Sequence, residues 1–149
     1  MADPIVRTYD SKAISMSFTT PAGVAIMSGS GLPDGDFLAI SCPDTFEGID
    51  GADGGHDRVN MNNNTLDLEI ILKKTNPVND ILTTIHETDK VLNTGKGALN
   101  IVDTAGTMFC KSQQAYITKR PDVSLGKSMP TVTWSFKVPN ALYNPGSNL

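Results

Sequence analysis

The stretch that decides the fold runs from residue 66 to residue 85 and reads LDLEIILKKTNPVNDILTTI. Its first half has an apolar side chain at every second position, the period of a strand with one buried face. After Asn76-Pro77 the apolar residues recur at the spacing of an amphipathic helix; they are Val78, Ile81, Leu82 and Ile85. Asparagine is a favourable N-cap and proline a favourable first helical residue. We therefore predict a strand that leads into a helix at about 77–90, with these four apolar residues as the helix packing face.

The rest of the chain reads as short strands separated by turns. Apolar and polar residues alternate at 13–18, 24–26 and 131–138, and further strands are predicted at 37–42, 98–103 and 107–119. A turn-rich connection covers 29–36, and no other segment has the helical period. The fold class predicted is mainly β, with two packed antiparallel sheets as a sandwich or barrel and one flanking α-helix.

One segment, 43–64, is long, polar and poor in core residues, with Phe46 as its main apolar contact. A glycine- and aspartate-rich turn at 51–57 divides it, which predicts a projecting hairpin or loop. The chain of 149 residues fits a single domain spanning 1–149. Its last residues, 139–149, read as an irregular tail.

Composition excludes two classes of function. The chain has 12 basic and 16 acidic residues, which gives a net charge of −4. Its basic residues are scattered, apart from the pairs Lys73-Lys74 and Lys119-Arg120. Tight nucleic-acid binding needs larger clusters. No signal-peptide h-region and no membrane span is evident, so we expect a product of the cytoplasm.

Cys42 and Cys110 lie in apolar strand-like contexts, which predicts two buried, reduced thiols.

The densest group of potential ligands is Asp50, Asp53, His56 and Asp57. Calcium favours aspartates in glycine-rich loops, but the spacing does not fit an EF-hand loop. A solvated loop tip is the favoured interpretation, and a calcium-dependent binding module is the alternative.

Catalysis has little support in the sequence. The histidines are His56 in the loop and His86 on the polar side of the helix, and no nucleophile motif accompanies them. Trp134, on an alternating strand, is predicted to be a core residue. We expect no enzyme activity, no cofactor and no metal.

Five runs of residues carry a family resemblance. They are 51–54 (GADG), 71–79 (ILKKTNPVN), 110–115 (CKSQQA) with 119–121 (KRP), and 132–136 (VTWSF). In this order they resemble a family of bacteriophage structural proteins that is similar to the tail tube proteins of contractile-tailed phages. The resemblance extends from about residue 14 to residue 138.

The resemblance implies a fold similar to the secretion-system tube protein Hcp and an assembly of six-membered rings stacked into a tube. Its partners would be further copies of itself, the sheath, baseplate and tail terminator proteins, and phage DNA that passes through the lumen without specific binding. The protein would be assembled in the host cytoplasm and located in the virion tail. A tailocin tube or a type VI-like secretion tube is the structural alternative.

Two further expectations follow from this resemblance. The 43–64 segment would make contacts between subunits or rings; the candidate residues are Phe46, Asp50, Asp53, His56, Asp57 and Arg58. Six copies would carry 24 net negative charges per ring. A lumen lined with part of that charge would repel phosphates.

Overall fold

The structure, a computed structural model, describes residues 6–27, 32–33 and 35–148. Within these residues it contains ten strands and one α-helix, preceded by a short 3-10 turn at Ser11–Ala13. The strands are β1 (Ile14–Thr20), β2 (Gly23–Ile26), β3 (Leu38–Ser41), β4 (Phe46–Asp50), β5 (His56–Asn60), β6 (Leu66–Lys73), β7 (Gly97–Asp103), β8 (Phe109–Lys119), β9 (Thr131–Val138) and β10 (Leu142–Asn144), and helix α1 is Val78–Leu92. The prediction of a mainly β fold with one helix is confirmed. Of the predicted connection at 29–36, residues 29–31 and 34 lie outside the described residues.

Strand β8 links two antiparallel sheets because its two halves pair with different neighbours. Its first half pairs with β7 and β10, and its second half pairs with β9. Sheet 1 therefore has the order β2-β1-β7-β8-β10, and sheet 2 the order β8-β9-β6-β3. The segment 139–149, predicted to be an irregular tail, contains β10, so the prediction is wrong for this part of it. Phe18 of β1 meets Phe136 of β9 edge to face, with ring centroids 5.2 Å apart. The two sheets thus pack against each other as predicted.

The core fills the space between the sheets with alternate residues from each strand. In β6 the apolar residues at every second position are buried and the intervening ones are not. The largest side chains that are almost fully buried include Met16, Phe18, Met27, Leu68, Leu72, Ile101, Trp134 and Phe136. Trp134 is a core residue, in agreement with the sequence.

The change from strand to helix occurs where the sequence predicts it, with a small difference in the cap. Helix α1 begins at Val78, one residue later than expected, and Pro77 occupies the N-cap position. The Asn76 side-chain oxygen nevertheless accepts a hydrogen bond from the Val78 N–H at 3.0 Å. Asn76 therefore satisfies one of the free N–H groups of the first turn. The helix ends at Leu92, where Asn93 adopts a left-handed conformation (φ 56°).

Helix α1 contacts strand β2. Leu82 and Ile85 are buried, and Val78 is half-buried against the core. Ile81, which the spacing groups with them, has 39% of its surface exposed.

In the described part of the chain, no helix is both long and apolar enough to cross a lipid bilayer.

The prediction for the cysteines is half wrong. Both thiols are free, and Cys110 is buried, but Cys42 is exposed. Cys42 follows the last residue of β3, which pairs only with β6 among the described strands. An edge strand has a neighbouring strand on one side only, so a residue just beyond its end has few neighbours to cover it.

Candidate interaction surface on the hairpin

Strands β4 and β5 form a hairpin that pairs with no other described strand. The register matches Phe46 with Asn60 and Asp50 with His56, and every residue of both strands is exposed. The turn at 51–55 is closed by a hydrogen bond from the Gly51 N–H to the Gly55 carbonyl at 2.7 Å. Because residues opposite each other in a hairpin share a face, the register divides the side chains into two sets.

The first set, called here the paired face, consists of Phe46, Gly48, Asp50, His56, Arg58 and Asn60. The Arg58 guanidinium carbon lies 4.1 Å from the centre of the Phe46 ring, a cation–π contact. His56 Nδ1 lies 2.6 Å from Asp50 Oδ1. The imidazole also covers Gly48, since a Cβ at that position would lie 2.7 Å from His56 Cε1. The side chains on this face largely contact one another.

The second set, called here the apolar–acidic face, consists of Glu47, Ile49, Asp57, Val59 and Met61. Met61 belongs to it because its N–H bonds to the carbonyl of Thr45, which extends the register by one pair. Ile49, Val59 and Met61 have 52%, 45% and 46% of their surface exposed. In the described part of the chain, no hydrogen bond or ion pair is made by the side chain of Glu47 or Asp57. This face therefore offers apolar surface and uncompensated carboxylates to a partner.

The hairpin segment also carries the net charge of the chain. Residues 43–64 contain one cation, Arg58, and five carboxylates: Asp44, Glu47, Asp50, Asp53 and Asp57. Their net charge of −4 equals that of the whole chain, so the remaining residues are balanced. A partner surface for this segment would be basic.

The aspartates of the hairpin do not converge on a common point. Asp50 is paired with His56, Asp53 accepts a hydrogen bond from the Gly55 N–H at 3.0 Å, and Asp57 lies on the other face. Among residues 6–27, 32–33 and 35–148, no group of three histidine, cysteine, aspartate or glutamate side chains is arranged to hold a metal ion. The geometry therefore does not favour the calcium-dependent alternative.

The structure separates the six candidate contact residues of the sequence. Phe46, Asp50, His56 and Arg58 share the paired face, Asp53 lies in the turn, and Asp57 is on the opposite face. Sequence reasoning missed Glu47, Ile49, Val59 and Met61. The signal that could have identified them is the alternation of apolar and polar residues: Ile49 lies between Gly48 and Asp50, and Val59 and Met61 lie on either side of Asn60.

The sequence predicts that the other histidine, on the polar side of the helix, is a surface residue, but it is only partly exposed. His86 is half-buried, and its Nδ1 atom is shielded from solvent without a hydrogen-bond partner in the described residues. It lies on helix α1, far along the chain from the hairpin.

Comparison with known proteins points to the class of bacteriophage structural proteins. The chain is 31% identical over 107 residues to structural protein ORF10 of Pseudomonas phage KPP10. The alignment covers 70% of this chain and 62% of that protein, so the chain spans less than two thirds of the relative's length. No family model matches the chain. The similarity supports a structural role in a virion.

Proposed function

We propose that this protein is the tail tube subunit of a contractile-tailed phage, in which rings of six copies stack into a hollow tube that conducts DNA. The observation that carries the proposal is the exposed, acidic and apolar hairpin on a two-sheet β core, in a chain similar to a phage structural protein. Exposed apolar surface of this kind marks protein–protein interaction sites, and in the proposed assembly the partner is a further copy of the chain. The role is structural and requires no catalysis.

Open sheet edges support the formation of rings. Among the described strands, β2 pairs only with β1, and β3 pairs only with β6. Val24 and Ile26 of β2 are exposed, although exposed apolar edge strands are an aggregation hazard in a monomer. In the proposed ring these edges pair with strands of neighbouring copies, which removes the hazard.

The outer face of sheet 1 is the proposed wall of the lumen. In the part of the chain that the structure describes, Lys111 is the single exposed charged side chain in β1, β2, β7, β10 and residues 109–115 of β8. Its neighbours are small and polar; they include Ser17, Thr19, Asn100 and Gln113. A nearly uncharged wall offers few ion pairs that would hold the phosphate backbone. This proposal replaces the expectation of an acidic lumen, because the net negative charge lies on the hairpin.

The hairpin is proposed to join neighbouring subunits or rings, through Phe46, Asp50, Asp53, His56, Asp57 and Arg58 together with the apolar–acidic face. Its strands are short, about 13 Å each from first to last residue at roughly 3.3 Å per residue, so its reach is limited to an adjacent copy.

Sedimentation velocity across protein concentration and salt tests the proposal. We expect species of six copies or more to appear as the concentration rises. A single monomeric species under all conditions would contradict the proposal. A variant in which residues 43–64 are replaced by a short glycine-serine linker should remain folded but lose the largest species.

A further inference from the structure

A groove of about 540 Å³ lies between the first turn of helix α1 and the loop that follows β8. Its floor includes Val132 and Trp134, and its walls include Pro77, Pro121 and Val123. The volume is within the range of roughly 300–1,000 Å³ that ligand pockets have. Val123 is exposed, as are Leu125 and Met129 in the same loop. The groove therefore combines a mixed polar and apolar lining with an apolar rim.

The surroundings of the groove are rich in cations. Lys74 and Arg120 line it, and Asp80 is the one carboxylate among its lining residues. Segments 73–74 and 119–130 together contain five cations and one carboxylate, Asp122; counting also Asp80 in the lining and Glu87, which is paired with Arg120, the net charge is +2. This charge is opposite in sign to the net charge of the hairpin segment.

An ion pair holds the Arg120 side chain, and a backbone hydrogen bond holds the main chain at Lys74. Arg120 donates from Nη1 to Glu87 Oε1 at 2.9 Å, and its other N–H groups make no hydrogen bond to a described residue. The Lys74 N–H donates to the Pro130 carbonyl at 3.0 Å, which fixes the end of the loop beside β6. The groove is therefore preformed, with donors available for carboxylates.

The hairpin and the groove lie at opposite ends of sheet 2. The hairpin segment joins β6 at Leu66, and the groove begins just after Lys73, at the other end of the same strand. The eight residues of β6 separate the two ends by roughly 23 Å at about 3.3 Å per residue. A contact between the hairpin of one copy and the groove of the next is therefore head-to-tail, and such contacts repeat to give rings or filaments.

We propose that the apolar–acidic face of the β4–β5 hairpin docks into this groove on a second copy of the chain. Ile49, Val59 and Met61 cover the apolar rim, and Glu47 and Asp57 face Lys74 and Arg120. The inference rests on the proposed function in one respect, namely that the protein associates with itself. It specifies which surface receives the hairpin.

Cross-linking between separately prepared chains tests this contact. In a Cys42→Ser background, Val59→Cys protein is mixed before assembly with Val123→Cys protein and treated with a short bismaleimide. We expect a cross-linked dimer in the mixture and at least a tenfold lower yield from either protein alone. Asn60→Cys is the matched control, because residue 60 is adjacent in β5 but belongs to the paired face. Its yield with Val123→Cys should also be at least tenfold lower.

Electron microscopy of the same samples separates failure of this inference from failure of the proposed function. Rings or tubes without the cross-link would overturn the docking site and leave the tube proposal standing. Cross-linking of Val59→Cys protein with itself would overturn it too, since it would show a symmetric contact. A cross-link without rings or tubes would support the docking site and contradict the tube. Monomers without any cross-link would contradict both.

A charge exchange gives an independent measurement. Glu47→Lys with Asp57→Lys, or Lys74→Glu with Arg120→Glu, should each weaken association at least tenfold. All four substitutions in one chain should recover most of the association. Failure of the combined variant to recover, with a folded β core by circular dichroism, would overturn the docking site. Lys111→Glu on sheet 1 is the control and should leave association unchanged.

Discussion

Trp134 in β9 donates its indole N–H to the side-chain oxygen of Asn79 in the first turn of helix α1, at 3.0 Å. The same amide group donates from Nδ2 to the carbonyl of Lys73, the last residue of β6, also at 3.0 Å. Trp134 is almost fully buried. One asparagine therefore attaches the start of the helix to two neighbouring strands of sheet 2, and it holds the wall of the groove in place.

Replacing Asn79 with leucine should lower the free energy of unfolding by about 1–3 kcal/mol, because the buried indole N–H would lose its acceptor. Urea denaturation followed by fluorescence measures the change, since Trp134 is the one tryptophan in the chain. Thr84→Ala is the control, because its exposed hydroxyl bonds only within the helix. Equal stability of the Asn79→Leu variant and the unaltered protein would contradict this role.

Leu82→Ala should destabilise the protein by about 2–5 kcal/mol, because the leucine is fully buried and its removal leaves a cavity. Ile81→Ala, one residue earlier and partly exposed, should cost less than about 1 kcal/mol by the same urea measurement. Leu82→Asp should impair folding or ring formation outright. Unchanged assembly of that variant would show that the helix is peripheral to the fold.

Gly97→Ala should destabilise the sheet by about 1–3 kcal/mol or more through a clash with backbone. An added Cβ would lie 2.0 Å from the Thr19 carbonyl oxygen on the neighbouring strand β1. Gly126→Ala is the matched control, since no atom lies within 4 Å of its added Cβ, and its melting temperature should hardly change. Similar melting temperatures for both variants would show that β1 and β7 adjust to the extra atom.

Stability should fall as the pH rises from 9 towards 11. Burial raises the pKa of the Cys110 thiol from 9.0 to about 11, and the nearby Cys42 adds to the rise. The folded state therefore keeps a proton that the unfolded chain releases above pH 9, so alkaline conditions favour unfolding, by up to about 2 kcal/mol. Burial also raises the pKa of Tyr143, which acts in the same direction.

Urea denaturation at pH 8, 9.5 and 11 measures this dependence. Cys110→Ala should reduce the slope and leave the part due to Tyr143. An identical slope in the variant would show that Cys110 does not carry the effect. At pH 8, a thiol reagent should modify Cys42 in the folded protein and spare Cys110.

The sequence predicts the strand-to-helix change and the two-sheet β class because both depend on local period. The alternation of Leu66, Leu68, Ile70 and Leu72 survives intact as the buried face of β6. The helical period also predicts burial of Leu82 and Ile85, but it cannot set the width of the buried stripe. The helix contacts the short strand β2, which has four residues, and Ile81 stays partly exposed.

The features that the sequence does not give depend on pairings between distant residues. The two faces of the hairpin follow from the register that matches Asp50 with His56, and one residue of slippage would exchange the faces. The groove joins Lys74 to Arg120, 46 positions apart, through a loop without periodic pattern. Cys42 is exposed because β3 lies at a sheet edge, and local alternation does not distinguish an edge strand from a central one.

Negative-stain electron microscopy of the purified chain tests the central claim most directly. At high protein concentration, with low and high salt, we expect rings with six-fold symmetry and an open lumen, and tubes built from stacked rings. Monomer-sized particles without rings or tubes in every condition would contradict the tail tube assignment.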